Sequence, residues 1–194
     1  MTSCCGGSWN SEGVIIFNAV TDGPLLRVSA AGGGVTPLTS VNSSLEENSH
    51  RWPQFLPEGR RFLFFVRSGR SDTTGIYASS LDHPEEKRRI LTTASNALYA
   101  PGDDPTSGYL LWVRDDGLLM AQRFDSVRGQ LFGEPVVLKE TIATGGASRV
   151  SASSRWCRSA MRTCARKRSC SAGRRSCENE LRGPVTLMPQ DCTR

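Results

Sequence analysis

The stretch Pro53-Gln54-Phe55-Leu56-Pro57-Glu58-Gly59-Arg60-Arg61-Phe62-Leu63-Phe64-Phe65-Val66 decides the fold. It closes on five consecutive aromatic or aliphatic residues, Phe62 to Val66, and an apolar run that short forms a strand more readily than a helix. Pro57-Glu58-Gly59 just before it is turn chemistry and breaks any helical continuation. The same order of signals occurs upstream, where Trp9-Asn10-Ser11-Glu12-Gly13 leads into Val14-Ile15-Ile16-Phe17; Gly13 and Gly59 lie 46 residues apart.

Working outward, each run is followed by a second strand-like segment. PLLRVSAAGGGVTPLT (Pro24 to Thr39) follows the first, and GIYASSLDHPEEKRRILT (Gly75 to Thr92) follows the second. Both units thus read as an acid-glycine turn, a strand, a turn, another strand and a closing Leu-Thr. A third unit contains YLLWVRDDGLLMAQRFD (Tyr109 to Asp125), with Leu111 placed 47 residues after Phe64. Inside it, Asp116-Gly117 separates two apolar segments and predicts a hairpin on a type I′ turn, which needs positive φ at both central residues. A period near 40 to 50 residues with this strand content fits a four-stranded propeller blade. The sequence therefore predicts an all-β chain: a partial β-propeller of about three four-stranded blades, at 9–48, 50–95 and 96–140, within a folding unit 1–148, followed by a disordered C-terminal tail at 149–194.

Composition supports that division. The 194 residues carry 24 Lys+Arg against 19 Asp+Glu, a net charge of +5, with 7 Cys. Residues 1–148 hold 13 basic and 16 acidic residues, a net of −3, whereas residues 149–194 hold 11 and 3, a net of +8. Five of the cysteines, Cys157, Cys164, Cys170, Cys177 and Cys192, also fall in the tail. Their separations of six, five, six and fourteen intervening residues, with no His in the tail, are not zinc-ligand spacings. Their odd number argues against a disulfide framework. The tail retains too few large apolar residues to offset the entropy of ordering it. It reads as disordered, or as a stretch translated out of frame from near Ser153. Its charge would attract nucleic acid non-specifically, through counterion release. No run reaches the roughly 18 to 20 apolar residues of a membrane helix, and the N-terminus lacks the pattern of a secretory signal, so the sequence as written implies a cytoplasmic chain without a membrane segment.

The pattern aromatic-x-x-acid-Gly followed, after two or three residues, by apolar-aromatic, carried by Trp9, Glu12, Gly13, Ile16 and Phe17 and by Phe55, Glu58, Gly59, Leu63 and Phe64, resembles the repeat of TolB-like (WD40-like) propellers. The blocks GPLLRVSAAGG, HRWPQFLPEGRRFLFF, GIYASSLD and YLLWVRDDGLLMAQRFD are similar to the propeller region C-terminal to the kinase domain in bacterial receptor-type serine/threonine protein kinases. The resemblance covers about residues 7–140 and implies six or seven blades in a full ring, a sensory or binding role, and relatives that often work outside the cytoplasm.

Chemistry-bearing motifs are scarce. The chain lacks a Gly-x-Ser-x-Gly elbow, a phosphate-binding glycine loop, a His-Arg-Asp and an Asp-Phe-Gly. Of the two histidines, His83 lies in a polar connection and His50 precedes the second repeat, where packing between blades is the expected role. Asp103-Asp104 and Asp115-Asp116 read as loop and turn residues, and Trp9, Phe17, Trp52, Phe55, Phe64, Tyr77, Tyr99, Trp112 and Phe124 as inter-blade core. No catalytic, cofactor-binding or metal-binding residue is named, and no cofactor is expected. The function expected is a non-catalytic module for protein or ligand binding, a fragment of a larger sensor or receptor kinase. The alternatives are a gene fragment without function, or a chain grouped with serine/threonine kinases although it lacks the catalytic domain. Expected partners are an unidentified protein or small ligand, and further copies of the chain through open blade edges.

Overall fold

A computed structural model describes residues 6–104 and 106–139. The predicted tail at 149–194 lies outside the described residues, as do Met1 to Cys5.

Among the described residues, twelve strands form three separate four-stranded antiparallel sheets, each built from strands consecutive in sequence. The first holds β1 (Gly7–Trp9), β2 (Val14–Phe17), β3 (Leu26–Ser29) and β4 (Thr36–Pro37). The second holds β5 (Glu47–Phe55), β6 (Arg61–Ser68), β7 (Gly75–Ser80) and β8 (Arg88–Thr92). The third holds β9 (Ala97–Pro101), β10 (Ser107–Val113), β11 (Leu119–Asp125) and β12 (Gln130–Lys139). The only helical turn among the described residues is a 3-10 turn at Ser43–Leu45, capped by the Asn42 side chain. The chain is all-β, and the three sheets are stacked blades of a partial β-propeller.

The stacking follows from strand alternation. In β6, Phe62, Phe64 and Val66 point to one side and join Ile16, Leu25, Leu38 and Tyr77 in the seam between blades 1 and 2. Leu63 and Phe65 point to the other side and join Ile76, Tyr99, Leu110 and Phe124 in the seam between blades 2 and 3. The continuous apolar run Phe62 to Val66 is thus a strand buried on both faces. First strands adjoin from blade to blade: Ser8 Oγ accepts from Phe55 N–H at 3.0 Å, and Gln54 Nε2 donates to Tyr99 O at 2.9 Å while Tyr99 N–H donates to Gln54 Oε1 at 2.8 Å. Polar pins reinforce the first seam, with Asn10 Nδ2 donating to Gly59 O at 2.7 Å and Asn18 Nδ2 to His50 O at 2.9 Å.

Two expectations are corrected. The hairpin between β10 and β11 is present, but its turn is not type I′. Gly117 N–H donates to Arg114 O at 2.8 Å, Val113 pairs with Leu119, and Gly117 alone carries positive φ, at 84°. This is a type I turn centred on Asp115-Asp116, followed by a left-handed glycine. Gly13 and Gly59, at φ 78° and 77°, close the other acid-glycine turns in the same conformation. Secondly, Trp9 is not core. It remains 66% exposed, because its face of blade 1 meets no blade among the described residues.

Candidate functional site

The densest polar chemistry lies in the seam between blades 1 and 2. Strand β5 carries Glu47 and His50, three residues apart, which in a regular strand would face opposite ways. A bulge intervenes: Glu47 pairs with Ser68 and Ser49 with Arg67, leaving Asn48 as the extra residue. The bulge turns Glu47 and His50 to the same side, where His50 Nε2 lies 3.3 Å from Glu47 Oε2. Blade 1 supplies Thr39, held by its own backbone bond to Leu25 and by Leu25 N–H donating to Thr39 Oγ1 at 2.9 Å. Thr39 Oγ1 is 2.7 Å from His50 Nδ1. Blade 2 supplies Lys87 from just before β8, with Nζ donating to Glu47 Oε1 at 2.6 Å, and Asn42 N–H donates to Glu47 Oε2 at 2.8 Å.

The network assigns the imidazole tautomer. Leu25 N–H donates to the Thr39 hydroxyl, which donates to Nδ1, and the Nε2 proton points at the carboxylate. His50 is fully buried, its ring 5.1 Å from that of Phe64. Burial pushes the His50 pKa down to about 4, reinforced by the Lys87 charge and opposed by Glu47. Burial pushes the Glu47 carboxyl up, but the Lys87 and Asn42 hydrogen bonds and the charges of Lys87 and His50 outweigh it, and its pKa falls below the ordinary value. The resting arrangement is a neutral histidine beside an ionised Glu47–Lys87 pair.

Hydroxyl, imidazole and carboxylate in line are the atoms of a nucleophilic relay. Here each is occupied. The Thr39 oxygen already accepts a backbone N–H, and Thr39, Glu47 and His50 are all buried. What the arrangement does in this structure is join the end of blade 1 to the two edges of blade 2.

Elsewhere, polar groups serve turns. Arg60 Nε donates to Asp82 at 2.9 Å and its Nη1 to Glu12 at 2.8 Å, an exposed clamp across the same seam. Its pKa is raised by the hydrogen bonds to Asp82 and Glu12. Asp104 accepts from Thr106 N–H at 2.8 Å, and Asp116 accepts from Arg114 and Leu118, so the paired acids are loop and turn residues. His83 Nδ1 lies 3.6 Å from Glu85 Oε1 on the exposed connection between β7 and β8. With Glu86 it forms the only grouping of metal-ligand type among the described residues, all three exposed. Of these residues the sequence singles out His50, as a packing residue, and does not single out Thr39, Glu47 or Lys87. The closing Leu-Thr of the first unit was the one available signal for Thr39.

No family model matches the chain, and no curated protein matches it in sequence. Solved structures do match in fold. The β-propeller domain of the Trilobed protease from Pyrococcus furiosus, described as having an open velcro topology, aligns at 10% identity and TM-score 0.50 over 70% of this chain and 42% of its own. A puromycin-hydrolyzing peptidase of Mycobacterium tuberculosis aligns at 16% identity and TM-score 0.51, over 73% of this chain and 24% of its own. TolB from Acinetobacter baumannii aligns at 16% identity and TM-score 0.48, over 71% and 32%. The chain thus spans less than half the length of each. Together with the three stacked sheets, the first two define the class of fold as a β-propeller.

Proposed function

We propose that the chain is a non-catalytic β-propeller module that binds a protein or small ligand, as one part of a larger sensor or receptor-kinase-type protein. The observation that supports it is the state of the reactive groups: the relay of Thr39, His50 and Glu47 is saturated and buried, and the exposed carboxylates Asp104 and Asp116 are committed to turns. Among the described residues, surface loops on a rigid stacked scaffold are the remaining means of action, as is general for propellers. The receptor-kinase setting rests on the sequence resemblance alone.

The test is turnover. Incubation of the full chain with ATP and a protein substrate, and with peptide and ester substrates, is expected to give no rate above a blank. A rate that disappears in Thr39→Val or His50→Gln would overturn the reading. For the receptor-kinase setting, the coding DNA upstream of Met1 is expected to encode a kinase domain.

A further inference from the structure

The polar bonds that cross the two blade seams differ in kind. Between blades 2 and 3, the Gln54 amide holds the main chain of Tyr99, and Arg88 Nη2 donates to Arg128 O at 2.6 Å. Neither bond contains a group that takes up a proton in mild acid. Among the described residues, no ion pair joins blade 2 to blade 3. Between blades 1 and 2, by contrast, ionisable groups join the sheets. His50 pairs with Val66 and Glu47 with Ser68, which places both on the face of blade 2 that meets blade 1. His50 Nδ1 meets Thr39 of blade 1, and Glu47 holds the Asn42 N–H in the connection between the blades. At the rim, Glu12 pairs with Arg60, and Asp22 with Arg51 and Arg67. Exposed pairs of this sort contribute little, so the weight falls on the buried histidine.

One atom of His50 couples proton uptake to the seam. Nε2 already carries the proton that faces Glu47, so the free lone pair is on Nδ1, the nitrogen that receives the Thr39 hydroxyl. A proton added there displaces the bond from blade 1 and places a charge beside Phe64 in an apolar seam. The charged groups facing the ring come from blade 2: Glu47 on β5, which favours the imidazolium, and Lys87 from just before β8, which opposes it. β6 presents Phe64 and Val66, and β7 presents Tyr77, its hydroxyl donating to Thr73 O and Arg89 near it. Blade 1 presents the Thr39 hydroxyl and, at His50 O, the Asn18 amide, and neither is charged. Separation of the blades would hydrate the imidazole and restore its ordinary basicity, so acid favours the separated form.

We propose that the seam between blades 1 and 2 is an acid-released latch: proton uptake at His50 Nδ1 frees blade 1 from blade 2 and uncovers the sheet face of Phe62, Phe64, Val66 and Tyr77, while blades 2 and 3 stay docked. The device acts on one seam of the two because only that seam is closed over a titratable group that bonds across it.

The test is hydrogen exchange of the full chain, read by mass spectrometry and corrected for the intrinsic pH dependence of exchange. Between pH 7 and pH 5 the protection of β2 and β3 is expected to fall by about twentyfold, and that of β10 and β11 to stay within roughly twofold. His50→Gln is expected to abolish the difference between the blades' responses. Glu12→Gln, which removes only an exposed rim pair, is expected to preserve it. The regional comparison in the wild type stands even where His50→Gln fails to fold. Equal loss of protection in all three blades, pH-independent protection of β2 and β3, a response that survives in a folded His50→Gln, or one that vanishes in Glu12→Gln would each overturn the proposal.

Discussion

His50 is the residue at which the fold's energetics become measurable. Its folded pKa of about 4 lies below the ordinary 6.5 because burial disfavours the imidazolium. As pH falls, the unfolded chain therefore takes up this proton first. The sign follows: the contribution is fully present above about pH 6.5 and is lost progressively as pH falls towards 4, at about 1.4 kcal/mol per pH unit and about 3 kcal/mol in all. Protonation of Glu47, whose folded pKa is also depressed, removes further stability at still lower pH. Urea unfolding between pH 7.5 and 4.5 is expected to show this slope in the wild type and to lose it in His50→Gln; equal slopes would contradict the assignment. His50 was visible in the sequence as one of two histidines. Its partners were not: Glu47 and Lys87 are 40 residues apart, and only folding of blade 2 joins them. Nor does any local residue pattern announce the bulge at Asn48 that aligns the carboxylate with the imidazole.

The acid-glycine pairs of the three units end in a left-handed glycine at Gly13, Gly59 and Gly117. A side chain there meets its own backbone, at a cost of about 1 to 2 kcal/mol. Gly117→Ala is expected to lower unfolding stability by about that amount, whereas Gly34→Ala, with no atom within 4 Å of the added methyl group and no positive φ, is expected to be nearly neutral. Denaturant midpoints of the two variants check the contrast. The positions of the hairpins were legible because apolar runs and glycine punctuation both mark them. The turn type was not, because Asp-Gly serves type I′ turns and type I turns with a trailing glycine alike. The choice is made by the number of residues between the paired strand ends, here Val113 and Leu119.

Across the whole molecule, stability resides in the seams between blades. Phe64 is 1% exposed and touches the rings of His50, Phe62 and Tyr77, so Phe64→Ala is expected to cost about 3 to 5 kcal/mol. Phe132, exposed on β12 with the Arg123 guanidinium 4.7 Å above its ring, is expected to cost less than about 1 kcal/mol on the same truncation. Thermal or urea melts of both variants make the comparison. The blade architecture was legible because the 46-residue spacing repeats both strands and turns. The exposure of Trp9 was not, since its sequence context matches that of Phe55 and what distinguishes the two is that no sheet among the described residues faces Trp9.

The Gln54 side chain engages both the N–H and the C=O of residue 99, as a neighbouring strand would. It recognises main chain, not side chain. For this bond, position 99 tolerates any residue that keeps its N–H, and only proline removes the donor. Position 54 has no such latitude, because Glu lacks the amide donor and Asn lacks a methylene of reach. The link between the inner strands of blades 2 and 3 thus depends on side-chain identity at position 54 and on main chain alone at position 99, where the Tyr99 ring is held separately by its packing against Phe124 in the seam.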